Sequence, residues 1–176
     1  FSRPEAGAEG RRLATGFDRY LLWLNGEPIL SGPARCYAAR TLYDEIDIGP
    51  FLRKGTNRLA AMLLPPTGAN YVVCYHRMGL FVQAEIRTPG GTTVRVQTDG
   101  DWKFRFADWI RVDRRLISLP TTPQFHADAD RGNPRWTTAV PDDSWTPASF
   151  LGPADLPPWL SMEPRPVDRP GENAMV

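Results

Sequence analysis

The sequence predicts an all-β, antiparallel sandwich, and three stretches carry that expectation. Residues 17–26, FDRYLLWLNG, alternate with period two, so that Tyr20, Leu22 and Leu24 fall on one side of an extended chain and Leu21 and Trp23 on the other. A strand apolar on both faces belongs between packed layers. Asn25 and Gly26 tolerate the positive φ of a type I′ turn, so residues 27–30 return as the second strand of a hairpin. Residues 80–88 set Leu80, Val82, Ala84 and Ile86 against Phe81, Gln83, Glu85 and Arg87, a strand with one core face and one mostly wet face. Pro89, Gly90 and Gly91 turn it into residues 92–98, with Val94 and Val96 inward. The turn at 99–101 then leads into Trp102, Phe104 and Phe106, another alternating set for which core positions are expected. Helical periodicity is almost absent, which makes a sandwich the economical fold.

The remaining elements follow in order. Residues 9–15 are expected to feed the organising strand, and residues 31–35 form a Gly and Pro turn. Residues 37–44 fit either a strand or a loop. Residues 46–57, IDIGPFLRKGTN, read as a short turn of structure that makes Phe51 and Leu52 apolar contacts and stops at Gly55. Residues 57–64, NRLAAMLL, bounded by Pro65 and Pro66, read as another buried strand, with a short helix as the alternative. Residues 119–135 contain Pro120, Pro123, Gly132 and Pro134 and are expected to be a long surface excursion, after which Phe150 and Leu151 supply a final strand. The organisation expected is therefore a β-sandwich domain over residues 1–153 and an extended Pro-rich linker over residues 154–176, leading toward another domain. Prolines at 157, 158, 164, 166 and 170 remove backbone donors, so the tail must lean on some other surface, with Trp159, Leu160 and Met162 as its apolar cluster.

Composition narrows the function classes. A chain of 176 residues can bury one core, and 21 Lys and Arg against 20 Asp and Glu leave a formal charge of +1 with no basic stripe, so nucleic acid is not an expected partner. No apolar run reaches the length of a bilayer crossing, and FSRPEAGAEG at the start lacks the apolar centre of a signal peptide, so no membrane partner is expected. Cys36 and Cys74 lack metal-ligand spacing; a single bridge or two free, buried thiols both fit.

Reactive constellations are sparse. The two histidines, His76 and His126, stand at no recognisable spacing to Cys, Asp or Glu, which disfavours a zinc site or a hydrolytic triad. Carboxylates come in close pairs, Asp44 with Asp47, Asp99 with Asp101, Asp128 with Asp130 and Asp142 with Asp143. Each sits beside the Gly, Pro or Ser of a turn, where a short acidic side chain caps the backbone, so no catalytic residue is assigned. Asp128, Asp130 and Asn133 in ADADRGN resemble part of a calcium loop, but regularly spaced oxygen ligands run out and the closing glutamate is missing. No cofactor is expected, calcium being the one candidate. Six tryptophans and five tyrosines offer rings on which a sugar could stack. Trp23 and Trp102 lie in apolar strands and read as packing; Tyr75, His76, Arg77 and Trp109 lie nearer strand ends and are the candidate carbohydrate platform.

Four segments, taken in order, resemble the N-terminal β-sandwich of the bacterial α-L-rhamnosidase family. These are YLLWLNGEPILSGPAR at 20–35, LYDEIDIGPFLRKGTNRLAAML at 42–63, GLFVQAEIRTPGGTTVRVQTDGDWKF at 79–104, and RWTTAVPDDSWTPASFLGPADLPPWLSMEPRPV at 135–167. The sequence departs from the family pattern at FHADAD, residues 125–130, where His126 stands in place of an acid. The resemblance implies a jelly-roll of the galactose-binding type. It also implies an accessory role beside a catalytic (α/α)6 domain of the same enzyme, since no such barrel fits in the remaining residues and no catalytic acid transfers onto this chain. A stand-alone carbohydrate-binding module is the alternative.

Overall fold

The computed structural model describes residues 2–3, 9–16, 19–32, 41–64, 79–88, 91–113, 124–128, 130–132, 134–154 and 161–166. Among them fourteen strands follow one another. The first seven are β1 (Ser2–Arg3), β2 (Glu9–Gly16), β3 (Arg19–Leu24), β4 (Glu27–Gly32), β5 (Thr41–Glu45), β6 (Gly55–Thr56) and β7 (Leu59–Leu64). The second seven are β8 (Leu80–Arg87), β9 (Thr93–Gln97), β10 (Lys103–Phe104), β11 (Ile110–Asp113), β12 (Gln124–Ala127), β13 (Thr146–Pro147) and β14 (Met162–Pro164). Helical structure among the described residues is limited to two 3-10 turns, Gly49–Phe51 and Pro134–Thr137, and none is long and apolar enough to cross a membrane.

A three-stranded sheet ordered β4-β3-β7 and a five-stranded sheet ordered β14-β5-β2-β8-β9 share one core. The alternation of β3 turns Tyr20, Leu22 and Leu24 inward, and β8 answers with Val82, Ala84 and Ile86, all buried. Ile48 and Leu52, on either side of the Gly49–Phe51 turn, complete the cluster. The opposite face of β3 is half-buried: Trp23 meets Trp136 edge-on, with ring centroids 5.1 Å apart, and this contact accounts for a strand apolar on both sides.

The hairpin turns as its sequence requires, with Asn25 at φ 56° and Gly26 at φ 86°. A bulge follows. Trp23 pairs with Pro28 but Leu22 pairs with Leu30, so Ile29 is an extra residue, and both Ile29 and Leu30 face the core. Pro28 is tolerated because β4 is the outer strand of its sheet.

Several expectations need correction. Residues 9–15 do not merely feed β3; β2 is a separate strand of the five-stranded sheet, pairing with β8 from Glu9↔Arg87 to Gly16↔Leu80. Its polar, Gly-flanked sequence carries little strand signal, and the ladder on both sides supplies what propensity does not. Phe104 and Phe106 are 43% and 84% exposed, and Trp102 is half-buried outside the core cluster. The alternation there belongs to a two-residue ribbon, β10 on β13, which is not part of either core-bearing sheet. Phe150, 74% exposed, forms no closing strand. The excursion at 119–135 contains β12, which pairs with β11. The tail, expected to lean on some other surface, has β14 lying on β5 in parallel, the one departure from antiparallel order in the five-stranded sheet. Trp159, Cys36 and Cys74 lie outside the described residues.

Candidate functional site

The β11–β12 pair carries an open cleft of about 390 Å³, lined by Asp108, Trp109, Arg111, His126, Ala127, Asp128 and Arg131. Its floor is antiparallel, with Ile110 opposite Ala127 and Arg111 opposite His126, so the guanidinium and imidazole side chains are cross-strand neighbours. The pair is tied to the sandwich where the Arg19 guanidinium, at the start of β3, lies 5.2 Å from the centre of the Phe125 ring.

Each end of the cleft is built by a turn. Before β11, the Ile110 amide donates to the Ala107 carbonyl at 3.0 Å, which presents Asp108 and Trp109 at the rim. After β12, the Asp128 amide donates to the Trp109 carbonyl at 2.9 Å and the Gly132 amide to the Asp128 carbonyl at 2.8 Å. Gly132 lies directly on the indole: a Cβ there would come within 2.7 Å of Cε3 and 2.9 Å of Cζ3 of Trp109. Any larger residue would push the turn off the ring. Arg131 closes the rim through Nη2 to Asp108 Oδ2 at 2.7 Å, a solvated pair worth about 0–1 kcal/mol.

The carboxylates of the cleft are already engaged. Asp128 Oδ1 accepts the amides of Asp130 at 3.1 Å and Arg131 at 3.2 Å, and Asp108 is held by Arg131. The other three close pairs each contribute a turn in the same way, through Asp47 to the Gly49 amide, Asp99 to the Asp101 amide, and Asp142 to the Ser144 amide and hydroxyl. The cleft can therefore present an aromatic ring, cations and an imidazole to a polar ligand. Among the described residues no three His, Cys, Asp or Glu side chains cluster as metal ligands, and Asn133 of the calcium-like stretch lies outside them.

Of the four residues singled out from the sequence, Trp109 is half-buried at this rim, while Tyr75, His76 and Arg77 lie outside the described residues. Arg111 and His126 join Trp109 without having been singled out as binding residues. Their convergence depends on the β11–β12 register, and the only hint of it was the His126 departure from the family pattern.

Comparison with known proteins agrees with the strand pattern. The sequence matches the family model described as the α-L-rhamnosidase N-terminal domain over residues 8–155. The fold is similar to part of the GH78 family rhamnosidase of Bacillus sp. GL1, with TM-score 0.77 and 28% identity, covering 93% of this chain and 17% of that one. It is also similar to part of an α-L-rhamnosidase from Dictyoglumus thermophilum, with TM-score 0.68 and 22% identity, covering 92% of this chain and 18% of that one. No curated protein matches the sequence.

Proposed function

The chain belongs to the α-L-rhamnosidase N-terminal domain family, and from that membership we propose that it is the non-catalytic accessory domain of an α-L-rhamnosidase-like glycoside hydrolase, packing on or positioning a catalytic (α/α)6 domain of the same polypeptide. The observation that carries this reading is one of proportion. Nearly the whole chain, 93% of it, superposes on only 17% of the Bacillus rhamnosidase. A sandwich with its own core thus corresponds to a small part of a much larger enzyme, and in each of its close acidic pairs one carboxylate, Asp47, Asp99, Asp128 or Asp142, is spent on a turn. The test is to express the longer polypeptide with and without residues 1–176 and to compare the melting of the catalytic part. An accessory domain that packs on its neighbour raises that melting temperature, and identical melting would remove the packing role.

Contact with carbohydrate is the second reading, favoured by one observation: Trp109, Arg111 and His126 share one cleft. Indole faces stack on pyranose rings while guanidinium and imidazole groups bond their hydroxyls. In this reading Tyr75, His76 and Arg77 are further candidate contacts. Titration of the chain with methyl α-L-rhamnoside, followed by the amide and indole NMR signals, distinguishes the two. Saturable shifts confined to residues 108–111 and 126–131, abolished in Trp109→Ala, support a binding module.

A further inference from the structure

Near its C-terminal end the chain pairs with the sandwich through residues 161–165. The Thr41 amide donates to the Ser161 carbonyl at 2.8 Å and the Arg165 amide to the Tyr43 carbonyl at 3.0 Å; between them Met162, Glu163 and Pro164 run parallel to Thr41, Leu42 and Tyr43. Three residues of edge strand, one of them proline, hold weakly by themselves. The stronger tie is at Arg165, whose Nε donates to Asp44 Oδ1 at 2.5 Å. Asp44 is 1% exposed, and its other oxygen accepts the buried Tyr20 hydroxyl at 2.7 Å. Tyr20 belongs to the three-stranded sheet and Asp44 to the five-stranded one, so this carboxylate joins both sheets to the tail. If the tail left, the buried Asp44 carboxylate would lose the Arg165 guanidinium, and taking a cation away from a buried charge is costly.

We propose that Arg165 and Asp44 form an exit clamp, which holds residues 161–165 on the edge of β5 and makes the chain beyond Pro166 depart from a fixed point on the sandwich. Arg165 is then a positioning residue for whatever domain the chain enters. Pro164 and Pro166, on either side of it, restrict φ and keep the exit path stiff. The same strand covers the hydrogen-bonding edge of β5 and so removes a site for unwanted pairing. The clamp stands on the geometry alone; its consequence for an enzyme rests on the accessory-domain reading.

Hydrogen exchange separates the two. In the chain of residues 1–176 the amides of Thr41 and Arg165 should be protected. In Arg165→Met the Thr41 amide should exchange faster, by on the order of tenfold or more, while the amides of Val82 and Ile86 keep their rates. Arg165→Lys, which restores a cation without the planar fork, should recover part of the protection. Unchanged Thr41 exchange in Arg165→Met would overturn the clamp, and so would loss of protection at Val82 and Ile86 to the same degree, since the effect would then be global. In the longer polypeptide, spin labels on β8 and on the following domain should give a broader distance distribution with Arg165→Met. An unchanged distribution beside released Thr41 would leave the clamp standing and remove its positioning role in the enzyme.

Discussion

Asn25 and Asn57, 32 positions apart, meet side chain to side chain, Nδ2 of Asn25 donating to Oδ1 of Asn57 at 2.9 Å. Around this bond the hairpin turn and the chain entering β7 are stitched together. Asn25 Nδ2 also reaches the Phe51 carbonyl and its Oδ1 accepts the Arg58 amide; Asn57 accepts the Arg53 amide and donates to the carbonyls of Arg53 and Gly55. An asparagine chosen for turn conformation alone could be glycine without loss. Here Asn25→Gly keeps the positive φ but removes the amide, and should destabilise the fold by about 1–3 kcal/mol in urea unfolding. Asn57→Ala, at a site 2% exposed, should cost at least as much. An unchanged midpoint for Asn25→Gly would reduce its role to the turn.

Gly32 faces Tyr20 across the hairpin, and a Cβ on it would strike Oδ2 of Asp44 and come within 2.7 Å of the Tyr20 hydroxyl. Neither neighbour is free to withdraw, because the two are hydrogen-bonded to each other in the core. Gly32→Ala should therefore destabilise by about 1–3 kcal/mol through overpacking. Stability equal to the parent chain in urea would mean that the hydroxyl–carboxylate contact has slack.

Trp102 donates from Nε1 to the Gln97 carbonyl at 2.9 Å and is partly exposed, outside the core cluster. Trp102→Phe should cost about 0.5–1.5 kcal/mol, the worth of one hydrogen bond. Trp102→Ala should fall short of the roughly 3–5 kcal/mol of a core tryptophan. Phe106→Ser, at an 84% exposed site, should change stability by less than about 0.5 kcal/mol. Core-sized losses at 102 and 106 would require a layer over this ribbon.

The Asp142 carboxyl is held below its ordinary pKa, first by the Ser144 hydroxyl at 2.5 Å and then by the Ser144 amide, which together outweigh desolvation, with a still smaller pull from Arg105. Because the folded value is the lower one, its stabilising contribution is present above the unfolded carboxylate pKa and is lost as pH falls through the folded value. Carbon-detected NMR titration should show Asp142 moving back up in Ser144→Ala. An Asp142 titration identical in the two chains would take the hydroxyl out of the account and leave the shift to the Ser144 amide.

Period-two alternation located β3, β8 and β9 because each has a face that must be dry, and the Asn-Gly pair marked the turn into β4 because few residues accept its φ values. The same rule misread Trp102, Phe104 and Phe106. Alternation reports that one face differs from the other, and says nothing of whether a second sheet lies against it. β2 was hidden for the converse reason, its strand being enforced by neighbours on both sides rather than by its own residues. Asp44 was read as half of a turn-capping pair with Asp47, yet only Asp47 caps a turn, and Asp44 is the buried anchor. Nothing local distinguishes them, since the partners of Asp44 come from positions 20 and 165. The cleft was legible only through Trp109, as Arg111 and His126 are brought to it by strand register.

The measurement closest to the central claim is hydrolysis of an aryl α-L-rhamnoside by two preparations, the chain of residues 1–176 and the longer polypeptide that contains it. An accessory domain gives turnover in the longer polypeptide and none in residues 1–176. Turnover by residues 1–176 that survives purification and is abolished by substituting a single Asp or Glu would contradict it.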